Sequence, residues 1–274
     1  MINKNIIALG FVSFFTDMAS SMVTSVLPIY IVYVLHEGVD KLGYIVAIAT
    51  FVSYAFRLLF GYLSDRLQIV KPFVVTGYLV SAVTKPLLAF SGAWQSIALL
   101  RGSERMGKAI RSATKDSLIS AYSPKKSGKS FGFHKMMDAA GEMSGAIIAF
   151  GALYYLGKSP EVFKSIFLWT LLPGLLAVIV ALFFVQDAPY KVKSKTQLDF
   201  STDKKLMPIL ILFFIFTFFV FNESFFIIKA KESGIAITYI PLFIILLYFV
   251  QSVSSYYFGT LIDKFSAYSV LLFP

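Results

Sequence analysis

The chain has 274 residues, 57% of them hydrophobic and 17% aromatic, with a mean hydropathy of +0.75 and only 15% charged. Soluble domains carry roughly a quarter charged residues, so this composition excludes an ordinary soluble enzyme and points to an integral membrane protein. The net charge of +10 is no nucleic-acid signature, because Lys and Arg lie mostly between apolar runs, and the absence of cysteine removes disulfide and thiolate chemistry.

In chain order, the first predicted span runs over about residues 6–35 and is too long for a signal-peptide core. Ser13, Asp17, Ser20, Ser21 and Thr24 share one narrow face of it, and Pro28 stands near its far end. Span 2, about 44–62, contains Arg57 and leads into GYLSDRLQIVKP. Span 3, about 73–90, is expected to be interrupted at Lys85-Pro86. Span 4 is Trp94–Tyr122. Span 5, about 131–156, carries His134, Asp138 and Glu142 at i, i+4 and i+8, with Gly141, Gly145 and Gly151 expected to permit close helix packing. Span 6 covers about 165–185. A polar stretch of Lys and Asp follows, and then span 7 (about 207–228, with Asn222-Glu223 inside), span 8 (about 235–258) and the start of a ninth.

Span 4 is long enough to cross a bilayer, yet Arg101, Glu104, Arg105, Lys108, Arg111, Lys115 and Asp116 fall within an arc of roughly 140°. Met106 and Ile110 mark the other side, with Ser103 as a polar exception. A charge near the bilayer centre costs about 2.5–3.5 kcal/mol on insertion scales, so the five from Arg101 to Arg111 would cost roughly 12–17 kcal/mol against lipid. A leucine offsets only about half a kcal/mol. The stripe is therefore expected to line a polar interior.

FGYLSDRL (Phe60–Leu67) recurs as FGTLIDKF (Phe258–Phe265) at an offset of 198. Each copy ends the second span of its half, which two parallel six-span halves explain. The expected layout is an all-α polytopic membrane protein. Residues 1–186 form a six-helix bundle, 187–206 a cytoplasmic linker, and 207–274 the start of a second bundle, incomplete after two spans and part of a third. With the N-terminus inside, twelve loop Lys and Arg face the cytoplasm against five on the other side, which sets the expected orientation.

With these residues in view, the chain resembles the major facilitator superfamily of secondary transporters. GYLSDRLQIVKP is similar to the family's loop motif, with Gly61, Leu63, Asp65 and Arg66 matching and Gln68 replacing a usual glycine. RGSERMGKAI echoes the span-4 motif through Arg101, GEMSGAI the span-5 glycine motif, and SVLPIY the proline end of span 1. FFTD, ERMGKAIR, KDSLISA and FGFHKMMD together look like a bacterial, efflux-type branch. The resemblance implies alternating-access transport of a small solute across the cell inner membrane, coupled to protons.

In the loop motif Gly61 lets spans pack closely, Asp65 can cap a neighbouring helix N-terminus, and Arg66 is placed to pair with Asp116. Asp263 is the matching acid of the second copy. Such a cluster would hold the cytoplasmic side shut. For the solute and proton pathway the candidates are Asp17, Arg101, Glu104, Arg105, Lys108, Arg111, Asp138 and Glu142. An intramembrane carboxylate near bases can trade a proton for a substrate or a helix movement. These acids could equally serve only to neutralise the bases of span 4, and His134 reads as an interfacial residue.

The base-rich interior favours an anionic or zwitterionic solute. SPKKSGKS lacks the first glycine and the strand of a phosphate loop, and neither a metal motif nor a nucleophile elbow occurs. No enzyme activity, metal or cofactor is expected. The partners are the solute, protons and the bilayer, with no nucleic acid. The rival reading is a truncated, non-transporting product that acts as a membrane interaction module or is inactive.

Overall fold

The computed structural model describes residues 2–67, 69–123, 127–187, 207–218, 222–265 and 270, and among these it is helical with no strand. The polar stretch after Asp187 and the expected ninth span lie almost wholly outside the described residues. Helices α1 (Lys4–Thr24), α2 (Val39–Leu67), α3 (Lys71–Leu87), α4 (Trp94–Tyr122) and α5 (Ser127–Tyr155) come first. Then come α6 (Pro160–Trp169), α7 (Leu171–Phe184), α8 (Met207–Phe218), α9 (Glu223–Glu232) and α10 (Pro241–Phe265). Among the described residues five helical stretches are long and apolar enough to cross a membrane.

Prolines explain most of the breaks. Pro28 lacks the N–H that would reach the carbonyl of Thr24, and α1 ends there; the chain continues through a short turn and a π-helix over Tyr30–Val34. Pro173 likewise cannot bond to Trp169, so the expected sixth span divides at Thr170, whose hydroxyl donates to the Phe167 carbonyl. The expected interruption at Lys85-Pro86 does not occur. Pro86 falls in the last turn of α3, where the missing N–H forfeits one bond, and the helix runs on to Leu87. The seventh span is also split. Asn222 caps α9, its side-chain oxygen accepting from the Ser224 N–H at 3.0 Å.

The bundle is organised in pairs: α1 packs on α5 and α7, α3 on α4 and α7, α2 on α4, and α10 along α5. Two apolar clusters result. One gathers Leu9, Val12, Val74, Leu118, Ile119 and Ala181; the other gathers Met22, Ile29, Ile97, Ala146, Phe163 and Ile227. Asp17 on α1, Lys85 on α3 and the charges of α4 fall in sequence between residues of the two clusters. The charged belt is thus a layer with an apolar plug on either side.

The α1–α5 contact depends on two glycines. A Cβ on Gly141 would stand 2.2 Å from the carbonyl oxygen of Phe14, and one on Gly145 would stand 2.2 Å from that of Met18. Gly151, expected to serve the same purpose, faces open space, since a Cβ there meets nothing within 4 Å. It lies beyond the crossing point. Gly141→Ala should therefore force α1 away and destabilise the protein by about 1–3 kcal/mol. Gly151→Ala should be neutral or stabilising by up to about 1 kcal/mol through helix propensity. Thermal unfolding of the two variants in detergent checks the contrast, and equal losses would contradict it.

Candidate solute and proton pathway

The charged stripe of α4 meets a cavity of about 300 Å³. Its walls come from the end of the first span (Thr24, Leu27, Pro28), from α2 (including Thr50, Ser53, Tyr54 and Arg57) and from α4 (Arg101, Arg105 and Lys108). Asn222, Glu223 and Ser224 at the start of α9 complete it. Four bases and one acid thus share a small volume with five hydroxyl groups and one amide. The volume sits at the lower end of the range for small-molecule pockets.

The four bases are not equivalent. Arg101 is buried and forms an ion pair with Glu104, itself 3% exposed, one turn along the same helix. Arg105 and Lys108 are half-buried, and Arg57 is exposed beside the ring of Tyr54. Glu223 accepts a hydrogen bond from the Tyr248 hydroxyl at 3.2 Å, which ties α9 to α10 at the cavity edge. Arg57, Glu223 and Tyr248 were not among the sequence candidates. The signal that could have found the acid was an Asn-Glu pair inside an apolar run.

Arg111, grouped with the pathway on its helical phase, is committed elsewhere. Its guanidinium donates to Ser81 Oγ at 2.7 Å and lies 4.6 Å over the ring of Tyr78, both on α3. It acts as a pin between α3 and α4 and does not line the cavity. Lys85 is fully buried and donates to the carbonyl of Thr16 on α1 at 3.1 Å. Asp17 and Glu142 are half-buried, and among the described residues neither makes an ion pair. The charges of both act on Lys108, so they share its electrostatic neighbourhood.

Asp138 is buried between His134 and Lys135, with Nδ1 of His134 at 3.3 Å and Nζ of Lys135 at 3.7 Å. His134 is enclosed by the bundle. It is 4% exposed, and its Nε2 lies 2.9 Å from Ser13 Oγ on α1. Counting residues from the start of α5 places it near the cytoplasmic edge, and α1 covers that turn.

At the loop motif, the side chain of Asp65 lies outside the described set. Arg66 and Asp116 are both exposed, and no ion pair joins them among the described residues. Asp263 in the second copy caps α5: its two carboxylate oxygens accept the N–H groups of Gly128 and Lys129 at 2.9 and 2.8 Å. Gly61 is half-buried within α2.

The family profile of the Major Facilitator Superfamily matches residues 9–273. The chain belongs to this superfamily. It is 34% identical over 281 residues to an uncharacterized MFS-type transporter of Methanocaldococcus jannaschii, covering 98% of this chain and 69% of that protein. It is also 37% identical over 123 residues to uncharacterized proteins of Mycobacterium bovis and Mycobacterium tuberculosis, covering 43% of this chain and 30% of theirs. Membership makes this a multi-pass transporter of the bilayer with a small-molecule substrate, and the superfamily points away from enzyme chemistry.

Removing one partner of a buried ion pair leaves an uncompensated charge, commonly at a cost of 3–5 kcal/mol. Arg101→Ala or Glu104→Ala should therefore sharply reduce the yield of monodisperse protein, whereas the double variant Arg101→Met/Glu104→Met should recover most of it. Arg105→Ala, which leaves no buried partner stranded, should fold. Size-exclusion profiles and unfolding midpoints of the four variants check this order, and an Arg105→Ala variant as damaged as Arg101→Ala would contradict it.

Proposed function

We propose that this protein moves a small anionic or zwitterionic solute across the cell membrane by alternating access, with export coupled to protons and its N-terminus in the cytoplasm. The observation that carries the reading is the composition of the cavity. With Arg101 neutralised by Glu104, the lining still offers Arg57, Arg105 and Lys108 against a single acid, Glu223. Such a surface attracts a carboxylate or phosphate and repels a cation. The hydroxyls of Thr24, Thr50, Ser53, Tyr54 and Ser224 supply neutral partners for the remainder of the solute.

Proton coupling has its support in the acids beside those bases. Asp17 and Glu142 share the neighbourhood of Lys108. Binding of the solute or a movement of the helices changes the countercharge around these carboxylates, and that change can move a proton on or off them. The Asp263 cap on α5 supports a gating role for the loop motif. It ties the second copy of the repeat to the first bundle through an interaction that any sliding of α5 against α10 must break.

Purified protein screened by thermal shift against small carboxylates, phosphates, zwitterions and cations tests the reading. At least one anion or zwitterion should raise the unfolding midpoint, and Arg105→Ala or Lys108→Ala should weaken that ligand at least tenfold. Stabilisation by cations alone would contradict it. In proteoliposomes, flux of the same ligand should follow an imposed pH gradient, and Asp17→Asn should remove that dependence.

A further inference from the structure

The pathway described so far ends at Asp17 and Glu142, and one buried cluster lies beyond it. His134 has both ring nitrogens engaged: Nε2 is 2.9 Å from Ser13 Oγ and Nδ1 is 3.3 Å from Asp138 Oδ1. Ser13, His134 and Asp138 are 2%, 4% and 8% exposed. Asp138 Oδ1 is buried and has no hydrogen-bond partner of good geometry. It is an acceptor waiting for a better-aligned donor.

The surroundings come from every helix packed against this cluster. Ser13 and Asp17 come from α1, and Tyr78 from α3 with its hydroxyl 3.4 Å from Ser13 Oγ. From α4 come Lys115, whose Nζ is 3.5 Å from the same oxygen, with Arg111 over the Tyr78 ring and Asp116 exposed nearby. On α5 itself are Lys135, Asp138 and Glu142. From α10, Ser252 donates to the Met136 carbonyl, while Tyr248 lies deeper, beside Glu142 and Glu223.

The order along the helices gives the cluster a direction. His134, Asp138 and Glu142 follow at one-turn intervals on α5, roughly 6 Å apart, and Ser13 and Asp17 do the same on α1. We propose that Ser13, His134 and Asp138 form a proton relay linking water at the Lys115 end of the bundle to Asp17 and Glu142 beside the solute cavity. The inference rests on the proton-coupled reading and assigns its route. In the resting form, Ser13 donates to Nε2 and the Nδ1 proton points at Asp138. A proton arriving from water at Ser13 Oγ displaces the serine's own proton onto Nε2, and the Nδ1 proton passes to the Asp138 carboxylate. The ring stays neutral with its proton on the other nitrogen, the serine keeps one proton, and Asp138 becomes a neutral acid. Rotation of the ring or the reverse transfer resets the array.

The chain holds only two histidines, His36 and His134, so the imidazole signals can be followed directly. Protein labelled with ¹⁵N-histidine is placed in nanodiscs, and His36→Gln assigns the exposed residue. At high pH, His134 should show its proton on Nδ1. As pH falls, the protonated-type and unprotonated-type signals should exchange between the two nitrogens. Asp138→Asn should abolish that exchange, and so should Ser13→Ala, which serves if the first variant does not fold. A His134 that holds one tautomer from pH 5 to 9, or one that still switches in both variants, would overturn the relay. Solute flux that follows a pH gradient despite a silent His134 would leave proton coupling intact and remove only this route. A switching His134 with flux indifferent to the gradient would instead remove proton coupling.

Discussion

Five charged side chains on α4, from Arg101 to Arg111, have to be kept from lipid, and the arrangement of the other helices follows from that requirement. Each would cost about 2.5–3.5 kcal/mol at the bilayer centre, and no plausible gain from neighbouring apolar residues offsets the sum. The structure meets the requirement in three ways. It pairs Arg101 with Glu104, it pins Arg111 to Ser81 and Tyr78, and it turns Arg105 and Lys108 toward a cavity. Two of these solutions lock charges in place, and one leaves charge available to a ligand. That division separates the structural part of the stripe from the part offered to function.

Close helix crossings make the division possible. At Gly141 and Gly145 the backbone of α1 comes so near α5 that Ser13 can reach His134 and Asp17 can face the α4 bases. A similar approach at Gly77 and Gly107 brings Ser81 within reach of Arg111; a Cβ on Gly77 would stand 2.6 Å from the Gly107 carbonyl. Glycine at these positions thus sets which polar groups meet, and polar contact then holds the crossing in register. Between the two apolar clusters this middle layer holds the charged side chains of α4 and the cavity that they line.

Much of this was legible in the chain. The limits of α4 coincide with the predicted span, and the phase of its charges marked the face that lines the cavity. The repeated loop motif singled out Asp263, which meets the N-terminus of α5. What could not be read were the partners. Helical phase placed Arg111 with Arg105 and Lys108, but Tyr78 and Ser81 on α3 decide its role. The burial of His134 was not legible either, because distance from a helix end ignores what covers that turn, and its partner Ser13 is 121 residues away in sequence. Lys85-Pro86 misled in another way, since a proline in a final turn costs too little to end the helix.

The central claim is that the stripe of α4 faces water inside the protein while its apolar flank faces lipid. The chain contains no cysteine, so single-cysteine variants report one position each. In proteoliposomes, a charged membrane-impermeant thiol reagent should modify cysteines placed at Arg105, Lys108 and Thr50, which line the cavity. It should leave a cysteine at Leu99, 71% exposed on the lipid-facing flank of α4, unmodified. Labelling at Leu99 without labelling at Arg105 and Lys108 would contradict the account.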